Sequence, residues 1–392
     1  MNTLHPDQIL RHIQGQERVL VDLLEHMVAA ESPSSHPKSH RMMRTILSGE
    51  LESMGYRVIH LGQAGGPRHI YARPTVRKKT APIQLLLGHF DTVWPLGTVA
   101  RRPFTIDGNV IRGPGVFDMK GGLAQMILAL KTLQHLELEP RLTPVIFVNS
   151  DEEIGSRSST RYIRTLARHA RRAYVTEPAM GEEGRIKTER KGIGRFTVTV
   201  HGKAAHAGLD PEGGASAILE LSHVIQTLFG FNNADTGTTV NVGMVDGGLQ
   251  PNVIAPHSQA VVDVRVATVA DGDRITRAIH EIEAVTPGVR LTIEGRIGRP
   301  ALERTDRNDA LWQQASAIGD SLGMDLQHGR AGGGSDGNTT SQYTATLDGL
   351  GAVGHGAHAE REFLYIDRTL ERTALLTLLL LAPLADAEGG VQ

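Results

Sequence analysis

Three short apolar runs, each followed closely by acidic or histidine side chains, constrain the fold of this 392-residue chain more than any other feature. Residues 83–87, 144–149 and 173–176 are largely apolar, the pattern of strands that are covered on both faces. A helical segment of about 18 residues, 121–138, lies between the first two runs. Strands that alternate with helices predict an α/β sheet whose functional residues lie at the carboxyl ends of its strands. The polar residues that follow the runs are His89 and Asp91, then Asp151, Glu152 and Glu153, and then Glu177.

A different pattern begins near Gly192. Residues 194–201 alternate between apolar and polar side chains, as a half-exposed strand does, and the order strand, helix, strand, strand, helix, strand extends to residue 293. This order is typical of a ferredoxin-like sandwich, and about 110 residues suit one inserted domain. We therefore predict an α/β fold, a mixed, largely parallel sheet flanked by helices, with an inserted ferredoxin-like α+β domain. The predicted boundaries are residues 1–191 and 301–392 for the discontinuous α/β domain and 192–300 for the insert.

The segments at the two ends of the chain are predicted to be mostly helical. Apolar residues from Leu10 to Val28 recur at near-helical spacing, which predicts one amphipathic helix that ends at Ser32-Pro33-Ser34. A second helix, about residues 40–54, leads into a strand at residues 56–60. Residues 375–381 are apolar and predict the buried face of a final helix.

Composition excludes several classes of protein. Hydrophobic residues make up 40% and charged residues 21% of the chain, as in a soluble globular protein. The net charge is −2 with both signs interspersed, so neither nucleic acid nor a membrane surface is an expected partner. The absence of cysteine leaves nitrogen and oxygen as the ligands for any metal. Residues 1–7 lack the features of a secretory signal, and the longest apolar stretch is shorter than the roughly 20 residues of a membrane span, so we predict a cytoplasmic protein.

Five side chains of the types that zinc accepts lie along the chain in an order that fits a two-metal site. Asp118 can bridge two ions with its two oxygens, which would give each ion a shell close to the tetrahedral one that zinc prefers. Taken singly, each residue has an ordinary structural role, such as a helix cap for Asp118, and spacing alone leaves His355 as an alternative to His358. Their joint occurrence, mostly at strand ends, favours a metal centre. The other predicted ligands are His89 and Glu177 for one ion, and Glu153 and His358 for the other.

Two residues beside these ligands also have predicted roles. Asp91, two residues after His89, is placed to accept the other imidazole N–H, which would fix the tautomer of the ring and raise its basicity. Glu152 would point away from Glu153, because neighbouring side chains on an extended segment diverge. A carboxylate beside the metals that is not itself a ligand would supply the general base that hydrolysis requires.

These same residues lie in long, specific motifs that resemble a known family over nearly the whole chain. The motifs are Gly88-His89-Phe90-Asp91-Thr92-Val93, residues 113–122, Asp151-Glu152-Glu153-Ile154-Gly155-Ser156 and Thr176-Glu177-Pro178. On them the sequence resembles the zinc exopeptidase family of carboxypeptidase G, acetylornithine deacetylase, succinyl-diaminopimelate desuccinylase and aminoacylase. Residues 91–95 and 332–336 are most similar to the glutamate carboxypeptidase (carboxypeptidase G) branch.

The resemblance implies roles for residues of the predicted metal site and for the insert. It implies that Glu152 is the catalytic base and Glu153 the ligand, and it favours His358 over His355 as the last ligand. It also implies that the α/β domain is the catalytic domain, in two parts, and that the insert is a lid and dimerisation domain.

Four residues outside the metal set match functional positions of the family. His206, otherwise a surface-loop histidine, matches a histidine that extends into the neighbouring subunit's site and stabilises the oxyanion. Arg265, otherwise a partner in a strand-surface ion pair, matches the arginine that binds a substrate α-carboxylate, a task that suits its bidentate fork. Asn252, otherwise a turn residue, and Gly333 match substrate contacts.

We therefore predict a cytoplasmic, homodimeric hydrolase with two zinc ions per chain, for which cobalt or manganese are substitutes. Its predicted substrate is an acyl or peptidyl group in amide linkage to an amino acid with a free α-carboxylate. One alternative is a deacylase or desuccinylase of a biosynthetic intermediate, and another is a catalytically silent peptide-binding protein, against which the intact Glu152 argues. His355 and Arg190 depart from the pattern of the branch and bear on the side-chain preference, not on the reaction.

Overall fold

The computed structural model describes residues 5–63, 65–78 and 80–385. Residues 1–4 lie outside the described residues, and they make up most of the N-terminal segment used to predict a cytoplasmic location. The chain divides into two compact units. The first unit contains Met1–Thr188, Arg304–Arg330 and Ser335–Gln392, and the second unit contains Glu189–Glu303 and Ala331–Gly334.

The secondary structure of the described residues alternates between helices and strands along most of the chain. The helices are α1 (Pro6–Gln14), α2 (Glu17–Ala29), α3 (Arg41–Ser53), α4 (Thr98–Arg101), α5 (Gly121–His135), α6 (Thr160–His169), α7 (Ala217–Gly230), α8 (Val269–His280), α9 (Asp306–Ser321), α10 (Gly337–Thr340) and α11 (Ile366–Leu381). The strands are β1 (Tyr56–Gly62), β2 (Arg68–Pro74), β3 (Ile83–His89), β4 (Thr105–Asp107), β5 (Val110–Arg112), β6 (Thr143–Asn149), β7 (Ala170–Val175), β8 (Ile186–Arg190), β9 (Gly192–His201), β10 (Thr239–Gly247), β11 (His257–Val266), β12 (Arg290–Arg299), β13 (His328–Ala331), β14 (Ala345–Leu347), β15 (Gly354–His355) and β16 (Phe363–Tyr365).

The first unit is built on a six-stranded sheet with the order β1-β2-β6-β3-β7-β14. β3 is parallel to both β6 and β7, and β14 is parallel to β7, whereas β1 and β2 are antiparallel to their neighbours. Leu86 belongs to a hydrophobic core that includes α5 and α11, while Leu85 and Leu87 belong to a second core with α6. Both faces of β3 are therefore buried, which confirms the mixed, largely parallel sheet predicted from its apolar run.

The parallel strands end at one edge of this sheet. His89 is the last residue of β3 and lies opposite Asn149, the last residue of β6. β7 ends at Val175, two residues before Glu177. The polar residues that follow these strands therefore emerge at the same edge, as expected for an α/β sheet.

The start of α5 lies against the end of β7. A Cβ atom on Gly122 would lie 1.8 Å from the carbonyl oxygen of Thr176, so a residue with a side chain does not fit there without a shift of the backbone. This close approach brings together the segment before α5, which contains Asp118, and the segment after β7, which contains Glu177.

The second unit contains a four-stranded antiparallel sheet with the order β10-β11-β9-β12. Its elements follow the chain as β9, α7, β10, β11, α8 and β12, which is the split βαβ order of a ferredoxin-like sandwich. Val198, Val262 and Val264 are fully buried with residues of α7 and α8, so the helices cover one face of the sheet. The predicted ferredoxin-like insert is thus confirmed.

Several elements differ from those predicted or were not predicted. The first helical segment is two helices, α1 and α2, because α1 ends at Gln14 and Gly15 caps it. β2 and the small sheet of β4, β5, β15 and β16 were not predicted, since their short or charged sequences lack a clear apolar pattern.

The predicted final helix is α11, with Leu375, Leu376, Leu379 and Leu380 fully buried. Among the described residues, no helix combines the length and the hydrophobicity needed to cross a membrane.

Candidate metal centre

His89 is the buried centre of the predicted ligand set, with only 1% of its surface exposed. Its Nδ1 lies 3.0 Å from the carbonyl oxygen of Asp91. Since a carbonyl only accepts hydrogen bonds, Nδ1 must carry a proton and donate it. Nε2 then points to two carboxylates, with Asp118 Oδ1 at 3.3 Å and Glu177 Oε1 at 3.4 Å.

Asp118 stands between the two histidines of the set. Its Oδ1 faces His89, and its Oδ2 lies 3.4 Å from Nε2 of His358. Within the turn Val116–Lys120 the backbone is non-helical at Asp118 (φ −115°, ψ 97°) and at Met119 (φ −129°, ψ 32°), directly before α5 begins. One carboxylate thus offers a separate oxygen to each imidazole, as expected of a bridging ligand.

Each of the remaining predicted ligands lies beside one of the two histidines. Glu153 Oε2 lies 2.9 Å from Nε2 of His358, while Glu177 is on the His89 side. His355, the alternative left open by spacing, is an exposed residue of β15. The geometry therefore favours His358 as the ligand.

The donor atoms of this cluster fit divalent cations. His89 Nε2, Asp118 Oδ1 and Glu153 Oε1 are buried and have no hydrogen-bond partner among the described residues. Unpartnered buried polar atoms are costly unless a ligand satisfies them. Two groups of residues also have ligand atoms within 4.8 Å of one another, a spacing that one ion could fill in each group. These groups are His89 with Glu152 and Glu177, and His89 with Asp118 and Glu153.

The carboxylates also favour positive charge at the two imidazoles. Burial disfavours a charged ring, yet contacts with Asp118, Asp91 and Glu177 raise the pKa of His89 well above its ordinary value. Asp118 and Glu153 raise the pKa of His358 to about 10. The same imidazoles lower the pKa of Asp118 despite its burial. Without metal, protons on the histidines therefore provide the positive charge that bound cations would bring.

Asp91 differs in detail from its predicted role. The imidazole of His89 donates to the backbone carbonyl of Asp91, and the carboxylate Oδ1 is farther from Nδ1, at 3.5 Å. The carboxylate instead accepts the backbone N–H groups of Glu152 and Glu153, at 3.2 Å each, and the hydroxyl of Ser34 at 2.7 Å. Asp91 therefore fixes the segment that carries the predicted base and a predicted ligand.

The segment with Glu152 and Glu153 has a second buried anchor, which sequence reasoning missed. Asp151 accepts hydrogen bonds from the backbone N–H and hydroxyl groups of both Ser158 and Ser159, at 2.6–3.3 Å. Asp336, 3% exposed, accepts from Asn149 at 2.6 Å and from Ser156 at 2.5 Å. The sequence signal for Asp336 was its position in the Gly-rich motif 332–336. Its contacts with Asn149 and Ser156 could not be predicted, because these residues are distant from it in sequence.

The second unit holds the other predicted site residues. His206 is exposed, and its Nδ1 accepts the backbone N–H groups of Gly208 and Leu209, at 3.1 and 3.2 Å. Its proton therefore lies on Nε2, which makes the free edge of the ring a hydrogen-bond donor. Asn252 lies on the neighbouring segment, where its carbonyl accepts the N–H of Ala207.

Arg265 and Gly333 each have a partner within the second unit. Arg265 forms a bidentate ion pair with Asp263, through Nε at 2.8 Å and Nη2 at 3.1 Å. This contact is the strand-surface ion pair that was the alternative to substrate binding, and it leaves Nη1 without a partner among the described residues. The carbonyl of Gly333 accepts from Nη1 of Arg190 at 3.1 Å, so the buried Arg190 fixes the Gly-rich loop.

Comparisons with known proteins match most of this chain. The model of peptidase family M20/M25/M40 matches residues 85–382. Carboxypeptidase G2 from Pseudomonas sp. (strain RS-16) is 27% identical over 357 residues, which cover 88% of this chain and 84% of that protein.

Solved structures share the fold. Aminopeptidase PepT from Bacillus cereus ATCC 10987 has a TM-score of 0.75 at 20% identity, with 93% of this chain and 98% of that chain covered. Bacillus subtilis YXEP, described as a dinuclear metal-binding peptidase from the M20 family, has a TM-score of 0.66 at 14% identity, with 96% and 98% covered. Since the matched residues 85–382 include all five predicted ligands, the chain belongs to peptidase family M20/M25/M40 and is a metal-dependent hydrolase.

Proposed function

We propose that this protein is a di-zinc carboxypeptidase of the carboxypeptidase G type, which hydrolyses the amide bond between an acyl or peptidyl group and an amino acid with a free α-carboxylate. The observation that carries the proposal is the cluster in which the two oxygens of Asp118 face two different histidines, the buried His89 and the exposed His358. The similarity to carboxypeptidase G2 over most of both chains supports the substrate class.

Two zinc ions would share Asp118. The ligands of one would be His89 and Glu177, and those of the other Glu153 and His358. When bound, the metal pair supplies Lewis acidity toward the substrate carbonyl and toward water. Cobalt or manganese would fit the same nitrogen and oxygen donors.

Glu152 would transfer the protons of the reaction. Its backbone N–H is held by Asp91, and its carboxylate belongs to the group with His89 and Glu177. From there it would accept a proton from the attacking water as the carbonyl carbon is attacked, and then donate it to the leaving amine. Asp91 contributes by fixing the position of Glu152 rather than by proton transfer.

The second unit would provide binding groups for the leaving amino acid. The Nη1 group of Arg265 can donate hydrogen bonds to a substrate α-carboxylate, while Nε and Nη2 remain bound to Asp263. Asn252 and the backbone of Gly333 would make further polar contacts, as the family resemblance implies.

The second unit would also form a homodimer and act as a lid. β10 is an edge strand on which Met244 and Val245 are 68% and 61% exposed, and Ile218 and Leu219 of α7 are 48% and 51% exposed. Exposed apolar side chains beside an unpaired strand edge support association with a second copy. In such a dimer, the donor Nε2 of His206 would stabilise the oxyanion in the partner's site. We also propose a cytoplasmic location for the enzyme.

A substrate panel tests this proposal. The zinc-loaded protein would be assayed on N-acyl and N-peptidyl amino acids, each paired with its α-carboxamide analogue, before and after treatment with EDTA. We expect chelator-sensitive cleavage only of substrates with a free α-carboxylate, and the preferred leaving amino acid identifies the specificity. Equal cleavage of the carboxamides would contradict the carboxypeptidase assignment.

The same panel separates the alternatives. Preference for an acyl group such as succinyl, with little dependence on the α-carboxylate, would favour a deacylase of a biosynthetic intermediate. Tight substrate binding without cleavage, by a protein with two zinc ions per chain, would favour a catalytically silent binding protein.

A further inference from the structure

Glu362 is a buried carboxylate that the proposed reaction does not use. Only 1% of its surface is exposed, and each of its oxygens accepts two hydrogen bonds. Oε1 accepts the backbone N–H groups of Phe117 and Asp118, at 3.0 and 3.1 Å. Oε2 accepts the backbone N–H of Gly115 and the indole N–H of Trp94, both at 2.9 Å.

The donors and Glu362 itself belong to three segments, each of which carries one of the proposed metal ligands. Trp94 follows His89 by five residues, in the segment after β3. Gly115 and Phe117 precede the proposed bridging residue Asp118, whose own N–H is bound directly. Glu362 itself follows His358 by four residues. One side chain therefore connects three segments that are far apart in sequence and that meet at the cluster.

We propose that Glu362 is a positioning residue that holds the segments of His89, Asp118 and His358 in the arrangement required to bind the metal pair. The inference rests on the proposed function, because it assumes that these residues are ligands. Its physical basis is that hydrogen bonds from residues around a metal site fix the orientation of the ligands and so increase the metal affinity.

Asp118 depends most on this contact. Its backbone leaves the helical conformation inside the turn Val116–Lys120, and Gly115 has a left-handed conformation with φ 75°. Glu362 accepts the backbone N–H groups of Phe117 and Asp118 within this irregular turn, and that of Gly115 directly before it. Loss of the carboxylate would therefore free the turn to change the direction of the Asp118 side chain.

Glu362→Gln is the most informative substitution. A carboxylate accepts all four hydrogen bonds, whereas the single oxygen of glutamine accepts two and its NH₂ group opposes the other two donors. We expect the zinc affinity, measured by competition with a chelator, to fall by about 10–100-fold. The melting temperature of the metal-free variant gives the loss of structural stability separately.

Glu220→Gln is the matched control. Glu220 is also 1% exposed and accepts backbone N–H groups of Val285 and Thr286, at 2.7–3.2 Å, but it lies in the second unit. We expect this variant to lower the melting temperature of the metal-free protein while it leaves zinc affinity unchanged. If Glu362→Gln behaves in the same way, with zinc affinity within twofold of wild type, Glu362 is only structural and the inference is wrong.

Asp118→Asn, measured in parallel, separates this inference from the proposed function. Loss of zinc in Asp118→Asn with wild-type affinity in Glu362→Gln would overturn the role of Glu362 alone. Wild-type affinity in Asp118→Asn would overturn the proposed centre, and the inference with it.

A second variant covers the case in which Glu362→Gln does not fold. Trp94→Phe removes one hydrogen bond and keeps both the ring and the carboxylate. We expect zinc affinity to fall by about 2–10-fold. Unchanged affinity in a folded Trp94→Phe protein would contradict the inference.

Discussion

Glu152 and Glu153 are neighbours in sequence but have different surroundings in the turn Glu152–Ile154. The carboxylate of Glu153 contacts His358 at 2.9 Å and lies in a group with His89 and Asp118, whereas that of Glu152 lies in a group with His89 and Glu177. Asp91 accepts the backbone N–H groups of both residues and so fixes the backbone from which the two side chains extend. In the proposed function, this turn separates a base, Glu152, from a ligand, Glu153, within two consecutive residues.

Glu152→Gln tests that separation. The amide keeps the shape of the side chain but cannot take a proton from water, so we expect kcat to fall by about 10²–10⁴-fold. Zinc content should stay at the wild-type value, because Glu152 is not among the proposed ligands. The measurement is kcat together with metal analysis of the same sample. Full activity would remove Glu152 as the base, and loss of zinc would make it a ligand.

His358 predicts a pH dependence of metal binding. In the metal-free protein its pKa is about 10, raised from 6.5 by Asp118 and Glu153, so the ring is charged at pH 8. Zinc binds the neutral imidazole and must displace that proton. Zinc affinity should therefore decrease as the pH falls from about 10 towards 6.5.

Titration calorimetry at pH 8 in two buffers with different ionisation enthalpies measures the displaced protons. We expect proton release on zinc binding, and about one proton fewer for His358→Asn. Equal release by the two proteins would show that His358 is not protonated before zinc binds. The same experiment with His355→Asn is the control, and this variant should match the wild type.

At the scale of elements, the contact between α5 and β7 sets the distance between two proposed ligand segments. Gly122→Ala would place a methyl group 1.8 Å from the carbonyl oxygen of Thr176, so the helix or the strand end must shift. We expect the free energy of unfolding to fall by about 1–3 kcal/mol, as for other overpacked sites, and zinc affinity to fall as well.

Gly49→Ala is the control for this substitution. Gly49 lies within α3, and no atom lies within 4 Å of the position of its Cβ. Alanine there should stabilise the protein by about 0.5–1 kcal/mol, because it removes the entropic cost of a helical glycine. Urea denaturation measures the free energy of unfolding of both variants. A Gly122→Ala protein as stable as the wild type would contradict the close approach.

The strands and the ligand types could be predicted from sequence because they depend on local patterns. An apolar run of strand length identifies a strand buried on both faces, and the residue after it lies at the carboxyl edge of the sheet. The anchors could not be predicted. Asp336 with Ser156, and Glu362 with Trp94, pair residues 180 and 268 positions apart, and such pairs have no signal in a local window. Likewise, the near-helical spacing of the apolar residues from Leu10 to Val28 gave no indication that α1 ends at Gln14 with Gly15 as its cap.

At the scale of the whole molecule, the proposed chemistry is divided between two units. The first unit contains the proposed metal ligands, and the second contains Arg265, Asn252, His206 and Gly333. In the proposed function, the first unit reacts with the amide and the second recognises the leaving amino acid. This division predicts that recognition and catalysis can be altered separately.

Arg265→Ala tests recognition. Loss of the guanidinium should raise KM for substrates with a free α-carboxylate by about 10–100-fold, with a smaller effect on kcat. The control is Arg195→Ala, which removes an exposed arginine from the neighbouring strand β9. Steady-state kinetics on matched carboxylate and carboxamide substrates provide the measurement. An equal loss on both substrates would contradict a carboxylate-binding role.

Complementation between inactive chains tests whether the site is shared across a dimer. His206→Ala should lose oxyanion stabilisation, about 10²–10³-fold in kcat, and Glu152→Gln should lose the base. In a mixed dimer, the site with an intact Glu152 would receive an intact His206 from the other chain. Random exchange makes half of the dimers mixed, and one of their two sites would be active, so about one quarter of wild-type activity should return.

If His206 acted within its own chain, every site in the mixture would lack one group and no activity would return. The mass of the wild-type protein, from light scattering, should be twice 42.4 kDa. Met244→Lys places a charge on the exposed edge strand β10 and should give a monomer, whereas Val76→Lys, at a 91% exposed position of the first unit, should not. Mixtures that carry Met244→Lys in both chains should then show no recovery, because recovery depends on the contact between second units.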